Sequence, residues 1–193
     1  MNILIAGDSF AANWATKYPD KMGWPNLLAQ KHEVVNIAQA GCSEYRIYQQ
    51  LLAEPLDIYD VIIVSHTSPY RLYVREHPVH SRDSLHANSD LIYQDVKEHK
   101  IRPLTEYFEK YFDLEYAEFT HGLICKEIRN MLADHCSLHL QHVAHNYDPL
   151  PSDEFMDCSD IWANNKGLMN HYSDKGNNVI YNSVNNRVAH LRA

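Results

Sequence analysis

The 193-residue chain has no apolar run long enough to cross a bilayer, no CxxC pair, no internal repeat and no low-complexity tract. A membrane-spanning helix needs about 20 mostly apolar residues, so a membrane partner is not expected. Positive charge is scarce: 17 Lys and Arg stand against 25 Asp and Glu, for a net charge of −8. That balance argues against nucleic acid or an anionic lipid surface as a partner. No basic stretch followed by a long apolar segment opens the chain, so no leader peptide is visible and a cytoplasmic location is expected. In that setting the four separated cysteines, Cys42, Cys125, Cys136 and Cys158, read as free thiols. The thirteen histidines include no HExxH or Cys/His ligand pattern. They read as solvated or hydrogen-bonded side chains, with neither metal nor cofactor expected.

What is present is regular alternation. Asn2 to Ala6, Glu33 to Ala38, Val61 to Val64 and Ser137 to Ala144 read as strands. Gly23 to Lys31, Glu44 to Glu54, about 104–113 and about 117–135 read as helices. Tyr45, Tyr48, Leu51 and Leu52 are expected on the inner face of the second helix. Ile124, Ile128, Met131 and Leu132 form the apolar stripe of the fourth. A last helix follows Ser173, a good N-cap, with Ile180, Val184, Val188 and Leu191 at helical spacing. Strands alternating with helices predict a parallel sheet. Length and a 45% hydrophobic content suit one domain over 1–193, with an insertion at about 70–103. That insertion follows the third strand. It either folds over the rim of the sheet or stays peripheral.

Chemistry concentrates at the ends of the chain. Gly7-Asp8-Ser9 comes directly after the first strand, which puts Ser9 at the carboxyl rim of a parallel sheet, where open α/β folds bind ligands. Serine becomes a nucleophile only when a base takes its proton. His171 lies in the loop before the last helix and can supply that base from the other end of the chain. Gly41 after the second strand and Ser68 after the third offer an amide and a hydroxyl as hydrogen-bond donors for a developing oxyanion. Asp8 reads as a turn residue bonding neighbouring amides. Two alternatives stand beside these assignments. Cys42 adjoins Gly41 as a rival nucleophile, and His145, at the end of the fourth strand, is a rival base or a substrate contact. The first loop lacks a Gly-rich phosphate cradle, which counts against a nucleotide or phosphate binder.

Gly7-Asp8-Ser9, Gly41, the polar loop His66-Thr67-Ser68-Pro69 and the late Asn170-His171-Tyr172-Ser173-Asp174-Lys175-Gly176 together resemble the SGNH (GDSL-like) hydrolases, over residues 2 to about 190. The resemblance implies a three-layer α/β/α sandwich with a mostly parallel, flavodoxin-like sheet. It implies hydrolysis or transfer of an O-acyl or O-acetyl ester of a small molecule or glycan, without a cofactor. Carried over, Ser9 is the nucleophile and His171 the base, with the Ser9 and Gly41 amides in the oxyanion hole. Ser68 stands where the family usually has Asn. Leu168 stands where it usually has an Asp, three residues before the base. Asp157 or Asp160 could serve as the acid instead, or a Ser–His dyad operates. A chain that kept the fold as a ligand-binding module and lost the chemistry is the alternative function.

Overall fold

The computed structural model describes residues 1–18, 20–80, 86, 89–143, 150, 155–167 and 171–191. Five strands form one sheet in the order β2-β1-β3-β4-β5, where β1 is Asn2–Gly7, β2 Glu33–Asn36, β3 Val61–His66, β4 Ser137–Gln141 and β5 Phe155–Asp157. Every neighbouring pair is parallel. In the centre, Ile3 registers with Val61 and Gly7 with Ser65. The order turns back on itself between β1 and β3, and such a switch point opens a crevice at the carboxyl ends of the strands.

The central strands are apolar at consecutive positions because both of their faces are covered. Ile3, Ile5, Val61 and Ile63 face α1 (Trp24–Leu28) and α7 (Asp174–His190), packing on Trp24, Leu28, Ile180, Val184 and Val188. Leu4, Ala6, Ile62 and Val64 face α2 (Glu44–Leu52) and α5 (Leu114–Met131), packing on Ile47, Leu51, Ile128 and Leu132. The molecule is therefore a three-layer α/β/α sandwich. Helices α3 (Tyr93–Glu98) and α4 (Arg102–Lys110) lie in the connection from β3 to α5, and α6 (Ser159–Asn164) follows β5.

Two expectations about helix faces need correction. In α2 the buried apolar residues are Ile47 and Leu51, with Tyr48 half-buried against them as expected, while Tyr45 is 39% and Leu52 59% exposed. The stripe runs through 47 and 51, one helical turn apart, and tyrosine rings tolerate the wet side. In α7 the stripe ends at Val188; Leu191 lies past the last helical residue and is exposed. The strands β1 to β3 fall where the apolar runs are, whereas β4 is shorter than expected and stops at Gln141. Its expected end, Ala144, and His145 lie outside the described residues.

Candidate active site

Gly7 ends β1 with φ +153, and a Cβ there would come within 2.5 Å of Ser65 Cβ on β3. Only glycine lets the two central strands stay this close where the chain turns off the sheet. The Gln50 amide clamps the turn, accepting from Gly7 N at 2.9 Å and donating to Gly7 O at 3.2 Å. Asp8 O then accepts from Ala11 N and Ala12 N, and Asp8 Oδ1 accepts from Phe10 N at 3.0 Å. The turn is thus held by its own amides. Ser9 is left 7% exposed at the rim.

At the other end of the chain, the Ser173 hydroxyl accepts from Gly176 N and caps α7. Asn177, in the first turns of α7, accepts from Trp24 N and donates to the Tyr172 and Ser173 carbonyls. This ties the segment before α7 to the start of α1. His171 is thereby fixed beside the β1 turn, its ring 4.7 Å from Trp14 and 5.1 Å from Phe10, centroid to centroid. Ser9 and His171 line one cleft of about 510 Å³, with Phe10, Trp14, Tyr18, Met22 and Tyr172 forming its apolar walls. Trp14 is held there by its indole N–H, which donates to Ser9 O at 2.8 Å. Lys21 and Asp174, 3.6 Å apart, sit at the mouth.

Gly41 has φ +81, and a Cβ there would lie 2.6 Å from Ser89 Cβ, so no other residue fits without strain. Its carbonyl accepts from Asp90 N and from Arg71 Nη1. The segment after β3 therefore returns to the sheet rim, joined by a short antiparallel bridge between Leu72 and Leu91. Within it the buried Asp90 carboxylate pairs with Arg46 and accepts from Ser43 N and Val74 N.

The polar loop after β3 divides its residues between two places. The Thr67 hydroxyl accepts from Arg71 Nε at 3.2 Å and hydrogen-bonds the Asp8 carboxylate. Ser68 lines a second cleft of about 200 Å³, with Glu44, Arg71, His121 and a ring of tyrosines that includes Tyr45, Tyr73, Tyr107 and Tyr111. Burial pushes the Asp8 carboxyl up to about 6, against the opposing pull of the Arg71 guanidinium. Cys42 is fully buried, and burial pushes its thiol up to about 12, the reverse of what a thiolate nucleophile requires. Asp157 ends β5, and its carboxylate accepts from Ser159 N, the first residue of α6; Asp160 lies in the first turn of that helix. Leu168 and His145 are outside the described residues.

Sequence reasoning did not single out His142 for the site. It follows β4, is buried, stacks on Phe10 at 4.8 Å and holds the Tyr172 hydroxyl at 2.8 Å from Nδ1. Burial first, then the neighbouring His66 and His171, press its pKa down to about 3, so the ring is neutral. Phe10, His142 and Tyr172 form the wall behind His171. The sequence signal available was only an apolar strand ending in a histidine.

No family profile matches the sequence, and no curated protein matches it. Solved structures do. The chain is similar to a protein from Desulfitobacterium hafniense DCB-2 assigned to the G-D-S-L lipolytic family. The match has a TM-score of 0.51 at 14% identity and covers 97% of this chain and 98% of that one. At that identity the likeness shows a shared fold, the same α/β/α sandwich over essentially the whole length of both chains.

Proposed function

We propose that the protein is a serine ester hydrolase or acyltransferase acting on O-acyl esters. Ser9 attacks the acyl carbon, and His171 takes the proton and returns it to the leaving alcohol. The observation that carries this reading is that Ser9 and His171, from opposite ends of the chain, face one apolar cleft. The fold shared with a G-D-S-L lipolytic protein supports it. In this reading the acyl chain lies against Phe10, Trp14 and Met22, and the Ser9 and Gly41 amides receive the oxyanion. Ser68, turned to the second cleft, contributes little to that hole. His171 next deprotonates a water or a second alcohol, which releases the acyl group.

The test pairs a fluorophosphonate probe with a panel of acetyl to octanoyl nitrophenyl esters. Wild type is expected to label at Ser9 and to cleave medium acyl chains faster than acetyl. Ser9→Ala is expected to lose several orders of magnitude in rate with an unchanged thermal midpoint. A Ser9→Ala enzyme within about tenfold of wild type rules Ser9 out. One observation favours the second reading, a ligand-binding module: the residue that stands in for the family Asn lines a different cleft from Ser9. A wild-type protein that neither labels nor cleaves any ester supports that module.

A further inference from the structure

On the opposite face of the sheet, four side chains with metal-ligating atoms converge in the core. Glu44 opens α2, His66 closes β3, and His121 and Cys125 lie one turn apart on α5. All four are buried. Glu44 Oε1 lies 2.7 Å from His66 Nδ1, and Cys125 Sγ lies 3.8 Å from His66 Nδ1 and 3.6 Å from His121 Nδ1. One donor atom each from Glu44, His66 and Cys125 falls within 4.8 Å of the others. Tetrahedral bonds of about 2.0–2.3 Å set N, O and S donors roughly 3.3–3.6 Å apart, the separation these atoms approach.

The outward atoms are equally informative. His66 Nε2 meets His139 Nδ1 at 2.9 Å, and His139 Nε2 reaches Ser137 Oγ at 3.4 Å. His121 Nε2 lies 2.9 Å from the Thr67 carbonyl. Glu44 Oε2 accepts from Thr67 N at 3.1 Å and lies 3.3 Å from His121 Nε2. His66 thus holds a partner on its far nitrogen and turns Nδ1 toward Glu44 and Cys125, the arrangement by which outer partners orient metal ligands.

We propose that Glu44, His66 and Cys125, with His121 packed beside them, bind a divalent transition-metal ion of the zinc class. A carboxylate and a thiolate together cancel the charge of such an ion, so the buried site is neutral when filled. A metal removes the thiol proton outright. Glu44 and His121 also line the 200 Å³ cleft, which supplies an access route. The three ligands come from α2, β3 and α5, so the ion is a structural cross-link of these elements. Through Thr67 it braces the loop beside Asp8.

A second histidine cluster serves as the control. His77 Nε2 lies 2.8 Å and His80 Nε2 3.2 Å from the Asp95 carboxylate. There His77 Nδ1 accepts from Val79 N and His80 N, which puts the ring proton on Nε2, the nitrogen that faces Asp95, so neither nitrogen of His77 has a free lone pair for a metal.

The experiment titrates the full chain, freed of metal by a competing chelator, with Co²⁺ alone. One equivalent is expected to give tetrahedral d–d bands and a thiolate-to-cobalt charge-transfer band. Cys125→Ala is expected to lose the charge-transfer band, and Cys136→Ser and His80→Ala to keep it. His139→Gln, which removes only the outer partner of His66, is expected to weaken Zn²⁺ binding by about 10–100-fold. The wild-type spectrum decides even if Cys125→Ala does not fold. Absence of the charge-transfer band in wild type, or its loss in His80→Ala with retention in Cys125→Ala, overturns the proposal.

Discussion

At the scale of single residues, the division of labour among histidines is set by environment. His142 is buried and held neutral, pressed against Phe10 and tied to Tyr172. His171 faces the cleft that Ser9 lines. A base must be neutral to accept a proton, so the rate of ester cleavage is expected to rise with pH as one imidazole deprotonates. His171→Ala is expected to abolish that limb along with the activity, and His145→Ala to leave both. The check is a pH–rate profile of the two variants. Loss of activity in His145→Ala with survival in His171→Ala transfers the base to residue 145. Ser9, Gly41 and His171 stood out in the sequence because each sits beside a strand or helix boundary with its own local cue. Thr67 and Arg71 did not, because their contact with Asp8 and Gly41 depends on how the segment after β3 folds back.

At the scale of elements, α7 carries the site as well as the core. Its Ile180, Val184 and Val188 stripe anchors it on the sheet, and its capped start delivers His171. Ser173→Ala removes the cap and is expected to cost about 1 kcal/mol, or a midpoint shift of about 2–4 °C for a chain of this size. Thermal unfolding beside Ser183→Ala, another α7 serine that bonds only the preceding turn, checks this; equal shifts would deny the cap a special role. Strands β1 and β3 were legible because a strand buried on both faces must be apolar without interruption. The phase of α2 was legible only in part: Tyr48 and Leu51 pack inward, but Tyr45 and Leu52 are as apolar on paper as Ile47 and Leu51 and stay exposed. Strand β5 has only three residues, Phe155–Asp157, too few for any periodicity to show.

At the scale of the whole molecule, two buried groups give the pH dependence of stability opposite signs. Asp8 holds its proton more tightly folded than unfolded, with a pKa of about 6 against an ordinary 3.8. Its contribution is present below the ordinary value and lost as pH rises through about 6. His142, at about 3 against 6.5, contributes above the ordinary value, and that contribution is lost as pH falls toward 3. Urea unfolding at pH 4, 5.5 and 7 separates them. Relative to Asp8→Asn, wild type is expected to lose up to about 3 kcal/mol between pH 4 and 7. Relative to His142→Phe, it is expected to gain stability over the same interval. A pH-independent difference for either variant removes burial as the cause of that shift. No helix among the described residues is long and apolar enough to cross a membrane.

By itself the sequence determined the alternation of strands and helices, hence the parallel sheet, and it marked Ser9 and His171 by their positions beside a strand end and a helix cap. These are local properties, carried by periodicity, glycine and capping residues within a few positions. Only the tertiary structure decided that Ser68 faces a different cleft from Ser9, that His142 backs the site, and that Glu44, His66, His121 and Cys125 meet in the core. His121 and Cys125, one turn apart, were the one local cue to that cluster. The other two side chains arrive from α2 and β3, and their meeting depends on strand order and helix packing, which no short stretch of sequence encodes.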